Sequence, residues 1–205
     1  MLAVKAERRS QAQRRDEAEQ RLLATAIRLV GERGLERITL AEVGEAAGYS
    51  RGLPAHYFGG KEGLVVALAR HLIEGFGRAL ERTERHRPGL ERLLGLTAFY
   101  LDSAGKDPAR TRALFVLLGE GLTNALVTES LAELNARSAK AIEKNLRAAV
   151  AAGEVRSDID ATSQALLILA ALRGTVGFWL LAPDAVDLRA VRKEFVTSLR
   201  RSLTP

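Results

Sequence analysis

The chain has 205 residues, 47% of them apolar but only 5% aromatic, and a formal net charge of +6. It contains no cysteine, which excludes a disulfide framework and any thiolate metal site. The length allows one or two small domains with real cores, and the Ala, Leu, Arg and Glu content is that of helices. The charged N-terminus lacks the apolar run of a signal peptide, so a cytoplasmic setting is expected.

Residues 1–20 are polar, with Arg8, Arg9, Arg14 and Arg15 in two pairs. They read as a solvated arm able to reach phosphates or a minor groove. From about Asp16 the apolar positions Leu22, Leu23, Ala26, Ile27, Leu29 and Val30 describe a helix face, and Gly34 ends it. Thr39 and Glu42 have capping-box spacing, so a second helix starts at Thr39. Gly48 stands where that helix needs a left-handed residue, Tyr49 supplies an apolar anchor, and Ser50 is a good cap for a third short helix. Pro54, early in that helix, removes one backbone donor at little cost. Small residue, glycine, apolar anchor, capping serine and short helix make the pattern of a helix-turn-helix.

Ala47-Gly48-Tyr49-Ser50-Arg51-Gly52, then His56-Tyr57-Phe58 and Lys61 to Leu64, resemble the signature of the tetracycline-repressor (TetR) family. Gly48, Ser50, Gly52, Phe58, Lys61 and Leu64 match in place. Ala55 stands where that family usually has a phosphate-contacting Tyr, and Tyr57 where it usually has His, which makes Tyr57 the candidate to take over the phosphate contact. The resemblance implies an all-α protein of about nine helices. A three-helix DNA-binding domain would span residues 1–60, and a helical bundle for ligand binding and dimerisation residues 61–205. It also implies a homodimer on a palindromic operator, usually a repressor, released by a small molecule. On this reading Arg51, Gly52 and Leu53 open the recognition helix, with Ser50 and His56 beside them, and Thr39 and Lys61 anchor phosphates.

Gly59-Gly60-Lys61 opens a fourth helix and lacks P-loop spacing. Its face runs Leu64, Val65, Leu68, Leu72, Phe76 and Leu80, and it is expected to be the sole continuous link to the rest of the chain. Breakers then divide helices at about 89–103, 108–118, 128–152, 160–181 and 187–203. Residues 165–182 are nearly all apolar, but Arg173 sits in mid-run, so a helix buried in a core and against a partner fits better than a membrane span. Gly174 and Gly177 permit close approach there. With Leu166, Leu169, Val191, Phe195 and Leu199 they are the expected dimer contacts. Phe99, Phe115, Phe178 and Trp179, together with Tyr100, are candidates to line a cavity between the bundle helices. Glu120, Thr123, Asn124 and Arg173 are candidates for its polar contacts. A hydrophobic or aromatic effector is expected.

His56, His71 and His86 have no metal-site spacing, and no nucleophile-elbow, zincin or dinucleotide motif occurs. Neither an enzyme nor a cofactor is expected. The competing reading is a helical ligand-binding or protein-interaction module that has lost DNA binding.

Overall fold

A computed structural model describes residues 10–81 and 87–205, without the side chains of 76–81. Arg8, Arg9 and His86, and the side chains of Phe76 and Leu80, lie outside the described residues. Nine helices and no strand occur among them: α1 (Gln11–Arg33), α2 (Leu40–Ala46), α3 (Leu53–Phe58), α4 (Lys61–Glu81), α5 (Leu90–Lys106), α6 (Pro108–Glu120), α7 (Ala125–Ala151), α8 (Ala161–Leu181) and α9 (Leu188–Leu203). The all-α expectation therefore holds.

Polar side chains set the helix starts. Ser10 and Gln13 form a reciprocal capping box for α1, so the helix begins well before Asp16 and carries Arg14 and Arg15. Asp107, Asn124, Asp160 and Asp187 accept hydrogen bonds from the first turns of α6, α7, α8 and α9.

Two apolar clusters form the interior. The first joins Leu22, Ile27 and Val30 of α1 to Val43 of α2 and Leu64 and Leu68 of α4, then continues into Ala113 and Leu117 of α6 and Val127 and Leu131 of α7. The second joins α5, α7, α8 and α9 through Leu93, Leu101, Leu146, Leu172, Val176 and Leu203. The N-terminal helices are thus tied to the bundle by more than α4. The α1 helix lies along α6, and Arg112 Nη1 donates to the Gly31 carbonyl at 3.3 Å. A Cβ on Gly31 would stand 2.0 Å from the Ala109 carbonyl oxygen, so glycine is what permits this crossing.

The α8 helix alone among the described single helices is long and apolar enough to cross a membrane. It packs instead on α7 and α5, with Ile168, Leu172 and Val176 buried.

Candidate DNA-reading face and effector cavity

The helix-turn-helix is built by local hydrogen bonds. The Thr39 amide donates to Glu42 Oε2 at 2.8 Å and Thr39 Oγ1 to the same oxygen at 2.9 Å, while the Glu42 amide donates to Thr39 Oγ1 at 3.2 Å. These bonds, with Arg33 nearby, hold the Glu42 carboxyl below its usual range. Thr39 is therefore the N-cap and Leu40 the first helical residue. Gly48 has φ of +79°, as the turn requires, and the Tyr49 amide donates to the Gly44 carbonyl at 2.9 Å. Gly44 lets the second element close in: a Cβ there would meet the Ser50 carbonyl at 2.5 Å and the Pro54 ring at 3.1 Å. The Arg21 guanidinium lies over the Tyr49 ring, 5.7 Å from its centroid.

Ser50 does not cap α3. Its carbonyl accepts from the Leu53 amide at 3.1 Å, residues 51–52 form a turn, and Gly52 is the N-cap. Pro54 then lies in the first turn, where its missing N–H would have had no helical partner. It is buried against Gly44.

Arg51 and Gly52, in the turn before α3, and His56 within it are exposed. Arg51 Nη1 lies 3.3 Å from Glu45 Oε1, a pair open enough to water that giving it up costs less than about 1 kcal/mol. Leu53 is half-buried against the N-terminal core. The Tyr57 hydroxyl donates to the Arg15 carbonyl at 3.2 Å, with the Arg15 guanidinium 5.9 Å from its ring centroid. Tyr57 thus fastens the start of α1 to α3. Arg14, Arg15, His56 and Tyr57 line one groove between these helices. Lys61 Nζ donates to the Glu36 carbonyl at 3.3 Å and stands 3.8 Å from the Glu36 carboxylate, so it bridges the start of α4 to the α1–α2 loop. Gly63 has a packing role that the sequence pattern does not reveal. A Cβ on it would fall 1.9 Å from the Phe58 carbonyl oxygen, so it sets how closely α4 follows α3.

In the bundle, an apolar cavity of about 60 Å³ lies between α4, α5, α6, α7 and α8. Leu72, Leu96, Leu114, Leu134, Ile142, Leu169 and Leu172 form much of its wall, and Thr97, Tyr100, Ser138 and Arg173 are its polar members. Leu72, Tyr100 and Leu114 separate it from a second cavity of about 130 Å³ that also touches Phe99, Arg110 and Thr111. Burial pushes the Tyr100 phenol above its usual pKa, against the opposing charge and hydrogen bond of Arg173.

Several expected positions fall elsewhere. Asn124 is an α7 cap, accepting from the Leu126 amide at 3.0 Å and donating to Glu120 Oε1 at 2.9 Å, so Asn124 and Glu120 both serve the α6–α7 turn. Thr123 is exposed in the same turn. Phe115 and Trp179 pack against the C-terminal core rather than lining the cavity. Phe178 points away from the cavity and is 71% exposed. Of the positions expected at the dimer contact, Leu166 and Gly174 are exposed and Val191 and Phe195 half-buried. Leu199 is buried in the core, Leu169 lines the cavity, and Gly177 faces Phe115. Leu169 and Leu199 are buried within the protomer because the helical phase of α8 and α9 turns them inward, while Gly177 is half-buried.

The sequence profile of bacterial regulatory proteins of the tetR family matches residues 22–68, and that of the BetI-type transcriptional repressor C-terminal region matches residues 89–203. The chain belongs to the TetR family. The probable HTH-type transcriptional regulator ArpR of Pseudomonas putida is 32% identical over 186 residues, 84% of each chain. The HTH-type transcriptional regulator BetI of Brucella anthropi is 41% identical over 81 residues, 38% of this chain and 40% of that protein. Alignment with the BetI relatives thus spans well under half of their length. A putative transcriptional regulator from Saccharomonospora viridis, solved in complex with choline, superposes with a TM-score of 0.83 at 21% identity, over 93% of this chain and 99% of that one. The two family profiles and the ArpR relative identify a DNA-binding transcriptional regulator.

Proposed function

We propose that this TetR-family protein is a cytoplasmic homodimeric repressor that leaves its operator when a small, mainly apolar molecule enters the bundle. It acts as a regulator and not as a catalyst. Residues 1–60 form the DNA-reading unit and residues 61–205 the effector and dimerisation unit. Arg51, Gly52 and His56 face base edges, and Lys61 and Thr39 sit against phosphates.

The observation that carries the proposal is the uncovered outer face of α8. Leu166, Leu167, Phe178 and Leu181 are 57%, 63%, 71% and 86% exposed, with exposed Ala170, Ala171 and Gly174 between them. Such a continuous apolar stripe is costly in water and matches a self-complementary helix face. Val191 and Phe195 of α9, which packs on α5, are half-buried. Two copies joined there would set two α3 helices on one side of duplex DNA, and a single short helix reads too few base pairs to be specific.

Light scattering at micromolar concentration, on wild type and on Phe178→Glu, tests the interface. A dimeric wild type and a monomeric but helical variant are expected. A gel shift on the DNA upstream of the protein's own gene tests operator binding, with the variant much weaker than wild type. A monomeric wild type, or a Phe178→Glu dimer as tight as wild type, would place the interface elsewhere.

A further inference from the structure

The inner cavity is apolar except at one end, where it carries a positive charge that no carboxylate among the described residues pairs. Among the described residues Arg173 is the only charged one in its wall, and those lining the adjoining cavity include Arg110 and no carboxylate. No ion pair joins Arg173 to a carboxylate among the described residues. Its Nη1 donates to the neutral Asn135 Oδ1, and its Nε is buried with no hydrogen-bond partner. A buried guanidinium N–H without an acceptor is costly, and the cost falls when an acceptor arrives. Guanidinium matches a carboxylate as a two-point fork, the strongest pairing open to it. The neutral Tyr100 phenol lies beside the same guanidinium and is hydrogen-bonded to it.

We propose that the effector is an apolar acid, with its hydrocarbon or aromatic body among Leu72, Leu134 and Leu172 and its carboxylate on Arg173. This rests on the reading of the cavity as the effector site. The wall disfavours the opposite charge. A quaternary ammonium needs a cage of aromatic faces or a nearby carboxylate, whereas among the described residues of the inner wall Tyr100 is the one aromatic ring and Arg173 the one charge.

The test is calorimetric titration of the intact protein with three probes that share an eight-carbon chain: octanoate, 1-octanol and octyltrimethylammonium. Octanoate should bind at least about tenfold tighter than octanol, with the cation weakest. In Arg173→Gln the acid should lose this advantage while octanol affinity stays within about twofold. In Arg173→Lys, which keeps the charge, part of the advantage should remain. A thermal melt of each variant shows whether it is folded, and an Arg173→Gln that does not fold hands the decision to Arg173→Lys and the wild-type ranking. Equal binding of acid and alcohol by the wild type, or an acid preference that survives in Arg173→Gln, overturns the acid assignment and leaves the cavity as an effector site. Failure of all three probes to bind overturns the cavity reading and this inference with it.

Discussion

Gly31 sets how closely the DNA-reading helices sit on the bundle, and Gly31→Ala measures that contact. The added Cβ would lie 2.0 Å from the Ala109 carbonyl oxygen, 2.7 Å from its carbon and 2.9 Å from the Ala109 Cα. All three atoms are α6 backbone, so no rotamer change relieves the clash. Cβ contacts under 3.0 Å are essentially never seen, so α1 and α6 must part by about 1 Å. The seam they would open holds Val30, Ala113 and Leu117, all buried. Overpacking of this kind costs about 1–3 kcal/mol. Alanine's better helix propensity returns up to about 1 kcal/mol. A net loss of about 1–2 kcal/mol, at about 2–4 °C per kcal/mol for a chain of this size, lowers Tm by about 2–8 °C. Circular-dichroism melts at fixed protein concentration give the answer, since a dimer's Tm depends on concentration. Gly95→Ala is the control. It lies inside α5 with nothing within 4 Å of the new Cβ, and should raise Tm by a few degrees. A Gly31→Ala protein that melts at or above wild type would refute the close-contact argument.

Two further outcomes follow from the DNA-reading face. Arg51→Ala should relax preference at one operator position by about 1–3 kcal/mol in a binding-site selection, whereas Lys61→Ala should weaken all sites alike and lower the slope of log K against log salt by about one. Unchanged sequence preference in the first, or an unchanged slope in the second, would remove those roles. The Glu42 carboxyl, held down chiefly by the Thr39 hydroxyl, contributes stability above its ordinary pKa of 4.5 and loses it as pH falls through its lower folded value. The Tm difference between wild type and Glu42→Gln should therefore narrow as pH drops from about 7 to about 3. A constant difference would mean that Glu42 acts through its shape alone.

The sequence revealed features that depend on neighbours along the chain. The Thr39–Glu42 box and the positive-φ Gly48 are local devices, and both appear where the spacing puts them. The Ser10–Gln13 box is equally local but sits in a charged stretch, where no apolar period draws attention to it. Gly31 and Gly63 could not be singled out, because what requires glycine there is the backbone of another helix. The near-continuous apolar run of α8 hides its phase. Leu166, Gly174 and Phe178 face outward while Leu169 and Val176 face inward, yet all five look alike in a sequence without polar contrast. Phe178 is therefore at the surface, where a cavity position was expected, and Leu169 in the cavity wall, where a surface position was expected. Arg173, the one charge in the run, was legible as a polar contact for the cavity.

If the proposed effector enters the cavity, the cavity's position gives it a route to the DNA-reading helices. Its wall includes Leu72 of α4 and Leu114 of α6. The α4 helix begins at Lys61 beside α3, and α6 carries both Ala109, against Gly31, and Leu117, inside the N-terminal core. A volume of about 60 Å³ holds a few waters and not an eight-carbon acid, so a ligand of that size must part the wall. Movement of α4 alone would swing α3 about its junction at Gly59. Because α1 rests on α6, displacing both wall helices shifts the N-terminal core as one body. In the proposed dimer this would change the separation of the two α3 helices, which operator DNA would hold to a fixed spacing. The ligand then favours the geometry that DNA disfavours, with a coupling of about 1–3 kcal/mol typical of such systems. The coupling is reciprocal, so bound operator must weaken effector binding by the same factor. Effector affinity that is equal with and without operator would exclude this route.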